Sequence, residues 1–282
     1  MSKGFITLGI DTEKDRIYHS YALASSIKHS DPDSLTCLVV DKGKSDLVPK
    51  DYLLVFDYIV ELPFGNSAHV DGFHGMNIWQ MFHCSPFDET IYVDSDTLLH
   101  NIDIDLLWDI MSSKGDFAVP QNALSYRNYS IDNTYRFEFE SLYDLPKFFN
   151  NMIYWKNDTQ LALEWFKMAD PIMQNWRSAY NRFFTDKKPG TFDKNILCNL
   201  VTHCLDIKDE IGVLVGNHFD LHADCQGVWT EDLPKEWTEM LNYWISSNGK
   251  IQIENHIITS GIIHYCDENF LTDEVINVYR SS

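Results

Sequence analysis

Short apolar runs closed by an acidic residue recur through the first part of the chain. Three of them, residues 5–10, 35–40 and 90–93, end at Asp11, Asp41 and Asp94. Near-continuous apolar runs are typical of strands that are buried on both faces of a parallel sheet. We therefore predict a strand at each run.

Segments whose apolar residues have helical spacing alternate with these strands. Ile17, Tyr21 and Ala24 recur at intervals of three or four within residues 16–29, which predicts a helix there, and residues 76–82 look similar. With a further strand at residues 58–62, the order favours an α/β fold. We expect a Rossmann-like, mostly parallel central sheet flanked by helices, with ligands at the carboxyl ends of its strands.

The second half of the chain is less regular, although it still contains short apolar runs and helical segments. The elements predicted there are strands at residues 117–120, 148–156, 211–215 and 261–265 and helices at residues 160–169 and 192–201.

The acidic balance of the chain narrows the choice of partners. It has 42 Asp and Glu against 22 Lys and Arg, a formal net charge of −20, so its surface repels nucleic-acid phosphates and anionic membranes. We expect a cytoplasmic protein, because no apolar run could span a membrane and the first run resembles a strand rather than a signal peptide. The six scattered cysteines include no CxxC pair and are expected to be buried free thiols.

Two carboxylates, Asp94 and Asp96, directly follow the strand predicted at residues 90–93. Side chains two positions apart in an extended chain point the same way. Two such anions repel each other unless a hard divalent cation lies between them, and oxygen ligands suit Mn²⁺ or Mg²⁺. The cation would also neutralise a diphosphate leaving group. The alternative is that the pair only ends a strand and begins a turn, where Asp is common.

Residues 92–99, YVDSDTLL, resemble the metal-binding DxD segment of GT-A glycosyltransferases of family 8 type, which include glycogenin and bacterial lipopolysaccharide galactosyltransferases. Other segments resemble that family in the same order along the chain. They are the first strand and helix (residues 5–11 and 24–28), an FNSGV-like strand (149–153), a DQxxLN-like helix start (192–197) and a VxHF-like strand (262–265). The resemblance implies a single GT-A domain over residues 1–282, with a nucleotide-binding half of about residues 1–112 and an acceptor-side half of about 113–282.

This resemblance also implies an activity: a metal-dependent hexosyl- or pentosyltransferase that moves a sugar from a nucleotide-diphosphate sugar, above all a UDP-sugar, to an acceptor hydroxyl, with retention. His264 is implied to complete the Mn²⁺ or Mg²⁺ site of Asp94 and Asp96. The acceptor is a glycan, lipid or protein that the sequence does not name, and the net charge disfavours a nucleic acid. The other implied site residues are Asp193, Lys194, Asn150 and Asn151 as catalytic residues and Thr7, Leu8, Ile10, Asp11, His74, Asn77 and Ser95 as donor-binding residues.

Several positions depart from the family pattern. Met152 stands in place of a glycine, Lys194 in place of a glutamine, and residues 267–270 in place of a KPW segment whose lysine contacts the diphosphate. A basic residue before the DxD segment is also missing, and Asn77 is among the nearest polar substitutes. With two cations missing, we expect the metal ion to carry more of the charge neutralisation.

Other interpretations remain open. Haloacid-dehalogenase phosphatases also place DxD after an apolar strand, but theirs is the first strand and this one is the fourth. A degenerate GT-A domain that serves as an acidic binding module is another possibility, and a modified DNA base as acceptor is a third. Asp193 is equally well interpreted as a helix N-cap. The His218, Asp220, His222 and Asp224 group is interpreted as acceptor contacts or solvated loop residues rather than a second metal site.

Overall fold

The computed structural model describes residues 1–10, 15–67, 73–131, 140–185, 189–221, 236–246 and 249–280. The strands are β1 Lys3–Leu8, β2 Leu35–Val40, β3 Tyr58–Glu61, β4 Glu89–Val93, β5 Thr97–His100, β6 Phe117–Pro120, β7 Met152–Lys156, β8 Gly212–Val213, β9 His218–Asp220, β10 Tyr243–Ile245, β11 Ile251–Ile253, β12 His256–Ile258 and β13 Gly261–His264. The α-helices are α1 Arg16–Ser30, α2 Met81–Cys84, α3 Ile104–Ser112, α4 Gln160–Gln174, α5 Trp176–Phe183, α6 Lys194–Cys204 and α7 Asp273–Arg280.

The largest sheet among the described residues has seven strands in the order β3-β2-β1-β4-β7-β6-β8. All neighbouring strands run parallel except β7, which is antiparallel to both β4 and β6. Every residue of β4 is buried, as its apolar run predicts for a strand with neighbours on both sides. The prediction of an α/β fold with a mostly parallel central sheet is therefore confirmed.

Helices flank both faces of this sheet. On one face, Trp165 of α4 and Leu197 of α6 belong to the same apolar cluster as Tyr92 of β4. On the other face, Leu23 of α1 and Trp108 of α3 pack in a second cluster with strand residues. Because α1 also contributes side chains to two further clusters, it is buried around most of its circumference.

A smaller sheet, in the order β5-β13-β9, lies at the end of β4. The chain enters β5 directly after Asp96, and β5 pairs antiparallel with β13, so that Thr97 lies opposite His264. On its other edge β13 pairs parallel with β9, which places Asp220 beside His264. This sheet therefore places His264 next to the DxD segment.

Several predicted boundaries differ from the structure. Strand β1 ends at Leu8, and β7 begins at Met152, so Asn150 and Asn151 precede the strand instead of interrupting it. The helix predicted at residues 76–82 is mostly the 3₁₀ helix His74–Gln80. Within the described part of the chain, no helix combines the length and apolar character needed to cross a bilayer.

Candidate active site

A cleft of about 360 Å³ opens at the carboxyl end of β4. Four parts of the chain meet there: the DxD segment, the start of α1, the start of α6 and the end of β13. This is the edge at which parallel α/β sheets bind ligands. The cleft is lined by Arg16, Phe73, His74, Asp94, Asp96, Phe192, Asp193, Lys194, Asn195, Glu236, His264 and Cys266.

The carboxylate of Asp94 is held from two sides. The backbone N–H of Asp94 donates to the Asn151 carbonyl over 2.8 Å, which extends the β4–β7 ladder by one hydrogen bond. The Tyr92 hydroxyl donates to Oδ1 over 2.6 Å, and the Lys194 ammonium donates to Oδ2. Burial and the charge of Asp94 raise the pKa of Tyr92 well above its usual value, so this hydroxyl stays protonated and remains a donor.

The carboxylate of Asp96 pairs with a buried arginine. Arg16 begins α1, directly after the N-cap Asp15, and its Nη1 donates to Asp96 Oδ2 over 3.0 Å. Burial lowers the pKa of Arg16, but the attraction of Asp96 outweighs burial and the pKa is raised. Burial likewise raises the pKa of Asp96, yet the hydrogen bond to His264 and the charge of Arg16 hold that pKa well below its usual value. Both groups are therefore charged.

The imidazole of His264 faces both aspartates. Its Nε2 lies 3.4 Å from Asp96 Oδ1 and 3.9 Å from Asp94 Oδ2, and its Nδ1 lies 3.3 Å from Asp220 Oδ2. Burial lowers the pKa of His264, but Cys266, Asp220 and Asp96 together raise it well above the usual value. The imidazole therefore carries a proton that a cation at Nε2 would have to displace.

Cys266 lines the cleft two residues after His264. Three ligand atoms, one each from Asp96, His264 and Cys266, lie within 4.8 Å of one another, which suits a bound metal ion. The expectation that all cysteines are buried is wrong for Cys204 and Cys266, which are half-buried because one ends α6 and the other follows the end of β13. Cys225 lies outside the described residues.

The predicted catalytic residues occupy different environments. Asp193 caps α6, because its Oδ1 accepts from the backbone N–H groups of Asn195 and Ile196, and it also lines the cleft. The Asn150 amide donates to Asn199 Oδ1 over 2.8 Å. The neighbouring Asn151 side chain is buried, and neither its oxygen nor its nitrogen has a hydrogen-bond partner among the described residues.

The predicted donor-binding residues lie mostly behind the cleft wall. Thr7, Leu8 and Ile10 are buried at the end of β1, and Asp11 lies outside the described residues. Asn77 is also fully buried, and its side-chain oxygen accepts from the Ser67 backbone over 2.8 Å.

Two further predicted residues lie closer to the cleft. His74 lines it directly. Ser95 is buried and accepts from Arg16 Nη1 over 3.5 Å.

The histidines and aspartates of residues 218–224 do not form a solvated loop where the structure describes them. His218 is fully buried, its Nδ1 lies 2.8 Å from the Asn122 carbonyl, and burial lowers its pKa to about 4. Asp220 Oδ2 lies 3.3 Å from His264 Nδ1. The interpretation as solvated residues is therefore wrong for His218, because its side chain is buried against the Asn122 carbonyl. His222 and Asp224 lie outside the described residues.

Two cations lie in the cleft wall, and only Lys194 was assigned to the site from the sequence. Arg16 was not singled out, although a basic residue in the first turn of a helix opposes the helix dipole and so signals an acidic partner elsewhere. Lys194 was predicted as a catalytic residue, and the structure adds its contact with Asp94. Arg16 and Lys194 line the cleft in place of the two family cations that the sequence lacks, because α1 and α6 both start at this edge of the sheet.

The cleft nevertheless remains acidic. Its lining has three cationic groups, Arg16, Lys194 and the protonated His264, against four carboxylates, which gives a formal balance of −1. A diphosphate would be repelled by this balance, whereas a divalent cation would be attracted and would bring the total to zero once it displaced the His264 proton. Chemically, the arrangement therefore suits an anionic ligand that arrives with a divalent cation.

No protein-family model and no curated protein matches this chain. Solved structures with a similar fold include the glycosyltransferase GlyE of Streptococcus pneumoniae TIGR4, with a TM-score of 0.45 and 10% identity over 77% of this chain and 45% of that one. They also include the bifunctional glycosyltransferase WbbM, with a TM-score of 0.40 and 15% identity over 62% of this chain and 35% of that one.

A third is the 4-diphosphocytidyl-2C-methyl-D-erythritol synthase of Anaerococcus prevotii DSM 20548, with a TM-score of 0.37 and 11% identity over 82% of this chain and 94% of that one. The chain spans less than half the length of GlyE and of WbbM. Likeness this distant assigns no activity, which has to be argued from the site.

Proposed function

We propose that this chain is a metal-dependent glycosyltransferase of GT-A type. It would transfer a sugar from a nucleotide-diphosphate sugar to an acceptor hydroxyl. The observation that carries the proposal is the meeting of Asp94, Asp96 and His264 in one cleft with two buried cations, Arg16 and Lys194. Alternating acidic and basic groups at the carboxyl edge of a mainly parallel sheet suit a diphosphate bound with a divalent cation.

The residues present fit such a cation. Asp96 and His264 offer an oxygen and a nitrogen 3.4 Å apart, and Asp94 Oδ2 lies 3.9 Å from the same nitrogen. Mixed oxygen and nitrogen ligands suit Mn²⁺, and Mg²⁺ is the alternative. When bound, the cation would neutralise charge that develops on the diphosphate as the bond to the sugar breaks.

The chain's own cations would act on the same leaving group. The guanidinium of Arg16 contacts Asp96, and the ammonium of Lys194 contacts Asp94. A diphosphate oxygen that competes for these donors would gain charge-assisted hydrogen bonds. We therefore assign both residues to the diphosphate rather than to the sugar.

Among the residues proposed for catalysis, we assign Asn151 to the donor sugar. Its buried amide lacks partners among the described residues, and a buried amide without partners costs free energy that a sugar hydroxyl would recover. Asn150 already bonds to Asn199, so its role is to hold the start of β7. Asp193 would position Lys194 through the cap that starts α6.

The remaining details follow the sequence resemblance. By that resemblance, Thr7 and Leu8 of β1 and the following Ile10 and Asp11 would hold the base and ribose of a UDP-sugar. A glycan, lipid or protein would supply the hydroxyl, and transfer would proceed with retention.

The test is a panel of nucleotide-diphosphate sugars incubated with the protein and Mn²⁺, with release of free nucleotide diphosphate as the readout. We expect turnover of at least one donor, and a loss of at least about 100-fold in Asp96→Asn, because Asp96 would no longer hold the cation. The exposed Asp144, paired with Lys208, supplies the matched control Asp144→Asn, which should retain parental turnover.

Isothermal titration with UDP and Mn²⁺ separates the enzyme from a binding module. Metal-dependent binding without turnover of any donor would support the degenerate domain. Hydrolysis of simple phosphate esters without any nucleotide-sugar turnover would support the phosphatase. Equal donor turnover by the parent and Asp96→Asn would refute the metal-dependent mechanism.

A further inference from the structure

The sulfur of Cys266 lies beside the nitrogen that we assign to the cation. Cys266 Sγ is 3.3 Å from His264 Nε2 and 3.5 Å from His264 Nδ1. Together with a carboxylate oxygen of Asp96, these residues form a group whose three ligand atoms all lie within 4.8 Å of one another. Asp94 is not a member of that group, because its carboxylate is turned towards Tyr92 and Lys194.

The backbone fixes the sulfur in this position. The N–H of Tyr265 donates to the carbonyl of Asp96 over 3.0 Å, which continues the pairing in which His264 lies opposite Thr97. Cys266 follows with a φ of 58°, a left-handed conformation that non-glycine residues rarely adopt outside functional sites and turns. The chain therefore turns immediately after β13, and the thiol lies against the cleft instead of continuing along the strand.

A second observation concerns the orientation of the His264 ring. Asp220 Oδ2 lies 3.3 Å from the other ring nitrogen, Nδ1 of His264. A carboxylate at one ring nitrogen is the usual support for a histidine that binds a metal ion through the other, because it fixes the orientation and tautomer of the ring. Nε2 is thereby directed to the place where Asp96 and Cys266 also meet.

We propose that Cys266 is a thiolate ligand of the cation site, alongside Asp96 and His264. The proposal rests on the cation site of the proposed function and adds a soft donor to it. The sulfur–cation bond would form as the thiol proton passes to the solvent. Since thiolates favour Zn²⁺, Co²⁺ and Cd²⁺ and contribute little to binding Mg²⁺, the site would prefer the first three cations.

Cobalt supplies a direct test, because a thiolate bound to Co²⁺ gives a charge-transfer absorption band that oxygen and nitrogen ligands do not give. The full chain would be titrated with Co²⁺ alone, without nucleotide. We expect the band in the parent and its loss in Cys266→Ser, together with a fall in Co²⁺ affinity of at least about tenfold. Mn²⁺ affinity should stay within about twofold, because its oxygen and nitrogen ligands remain.

Cys204→Ser is the matched control, because Cys204 is also half-buried but ends α6 instead of lining the cleft. It should keep both the band and the affinity. A parent protein that binds Co²⁺ without the band, or a band that persists in Cys266→Ser, would overturn the proposal.

If Cys266→Ser fails to fold, alkylation of the parent decides the question. Co²⁺ should protect Cys266 from iodoacetamide, as mapped by peptide mass, and unprotected labelling at saturating Co²⁺ would refute the proposal. The two proposals fail separately. Donor turnover without the Co²⁺ band would refute only the thiolate ligand, and the band without donor turnover would refute only the proposed transferase.

Discussion

The buried ion pair of Arg16 and Asp96 gives the sharpest prediction about the site. Their charged atoms are 3.0 Å apart, and the two side chains are only 8% and 12% exposed. At an effective dielectric constant of about 20, their attraction is about 5 kcal/mol. Arg16→Met would remove the guanidinium and leave Asp96 paired with His264, and removal of one partner from a buried pair costs about 3–5 kcal/mol. We expect a loss of stability of that size.

Urea denaturation of the parent, Arg16→Met, Asp96→Asn and the double variant would measure this pair as a double-mutant cycle. Each single variant removes one member of the pair and leaves the charge of the other buried without it, so the double variant should lose less than the sum of the two, by at least about 1 kcal/mol. The exposed pair Lys208–Asp144 is the matched control, and Lys208→Met should change stability little. Additive losses, or an Arg16→Met variant as stable as the parent, would refute the buried pair.

Three other predictions follow from single side chains. His218 has its pKa lowered to about 4 by burial, against about 6.5 when unfolded. The unfolded state therefore binds more protons between these values, so the free energy of unfolding should fall as the pH is lowered. Urea titrations at pH 6.5 and 5 should show that His218→Asn reduces this loss by about 1–2 kcal/mol. Asn151→Ala should lower donor turnover about tenfold without lowering the free energy of unfolding, because the amide lacks partners among the described residues; parental turnover would contradict this. Gly261→Ala should lower the free energy of unfolding by about 1–3 kcal/mol, since φ is +151° and its Cβ would lie 2.5 Å from the Asn217 carbonyl oxygen; an unchanged urea midpoint would contradict this.

The central sheet could be predicted because its strands are buried on both faces. Residues 35–40 and 90–93 are near-continuous apolar runs for that reason, and the structure contains β2 and β4 at these positions. The meeting of Asp94 and Asp96 in one cleft likewise follows from their position at the end of β4. Burial on two faces therefore gives a near-continuous apolar run, which identifies a strand even when its partner strands are unknown.

The contacts that complete the site could not be predicted locally. Strand β5 was not predicted, because Leu98 and Leu99 looked like the continuation of the DxD segment and their partner, β13, lies far along the chain. The partner of Arg16 is 80 positions away, and no local pattern encodes that distance. Cys266 was one of six scattered cysteines until the turn after β13 placed it in the cleft.

The central claim is that a divalent cation binds between the DxD carboxylates and His264 and in turn binds a diphosphate. Anomalous diffraction from crystals soaked with Mn²⁺ and uridine diphosphate tests it directly. The account predicts a manganese peak within bonding distance of Asp96 and His264, with diphosphate oxygens completing its coordination. A nucleotide bound in the cleft without manganese, or a manganese peak away from these two side chains, would contradict it.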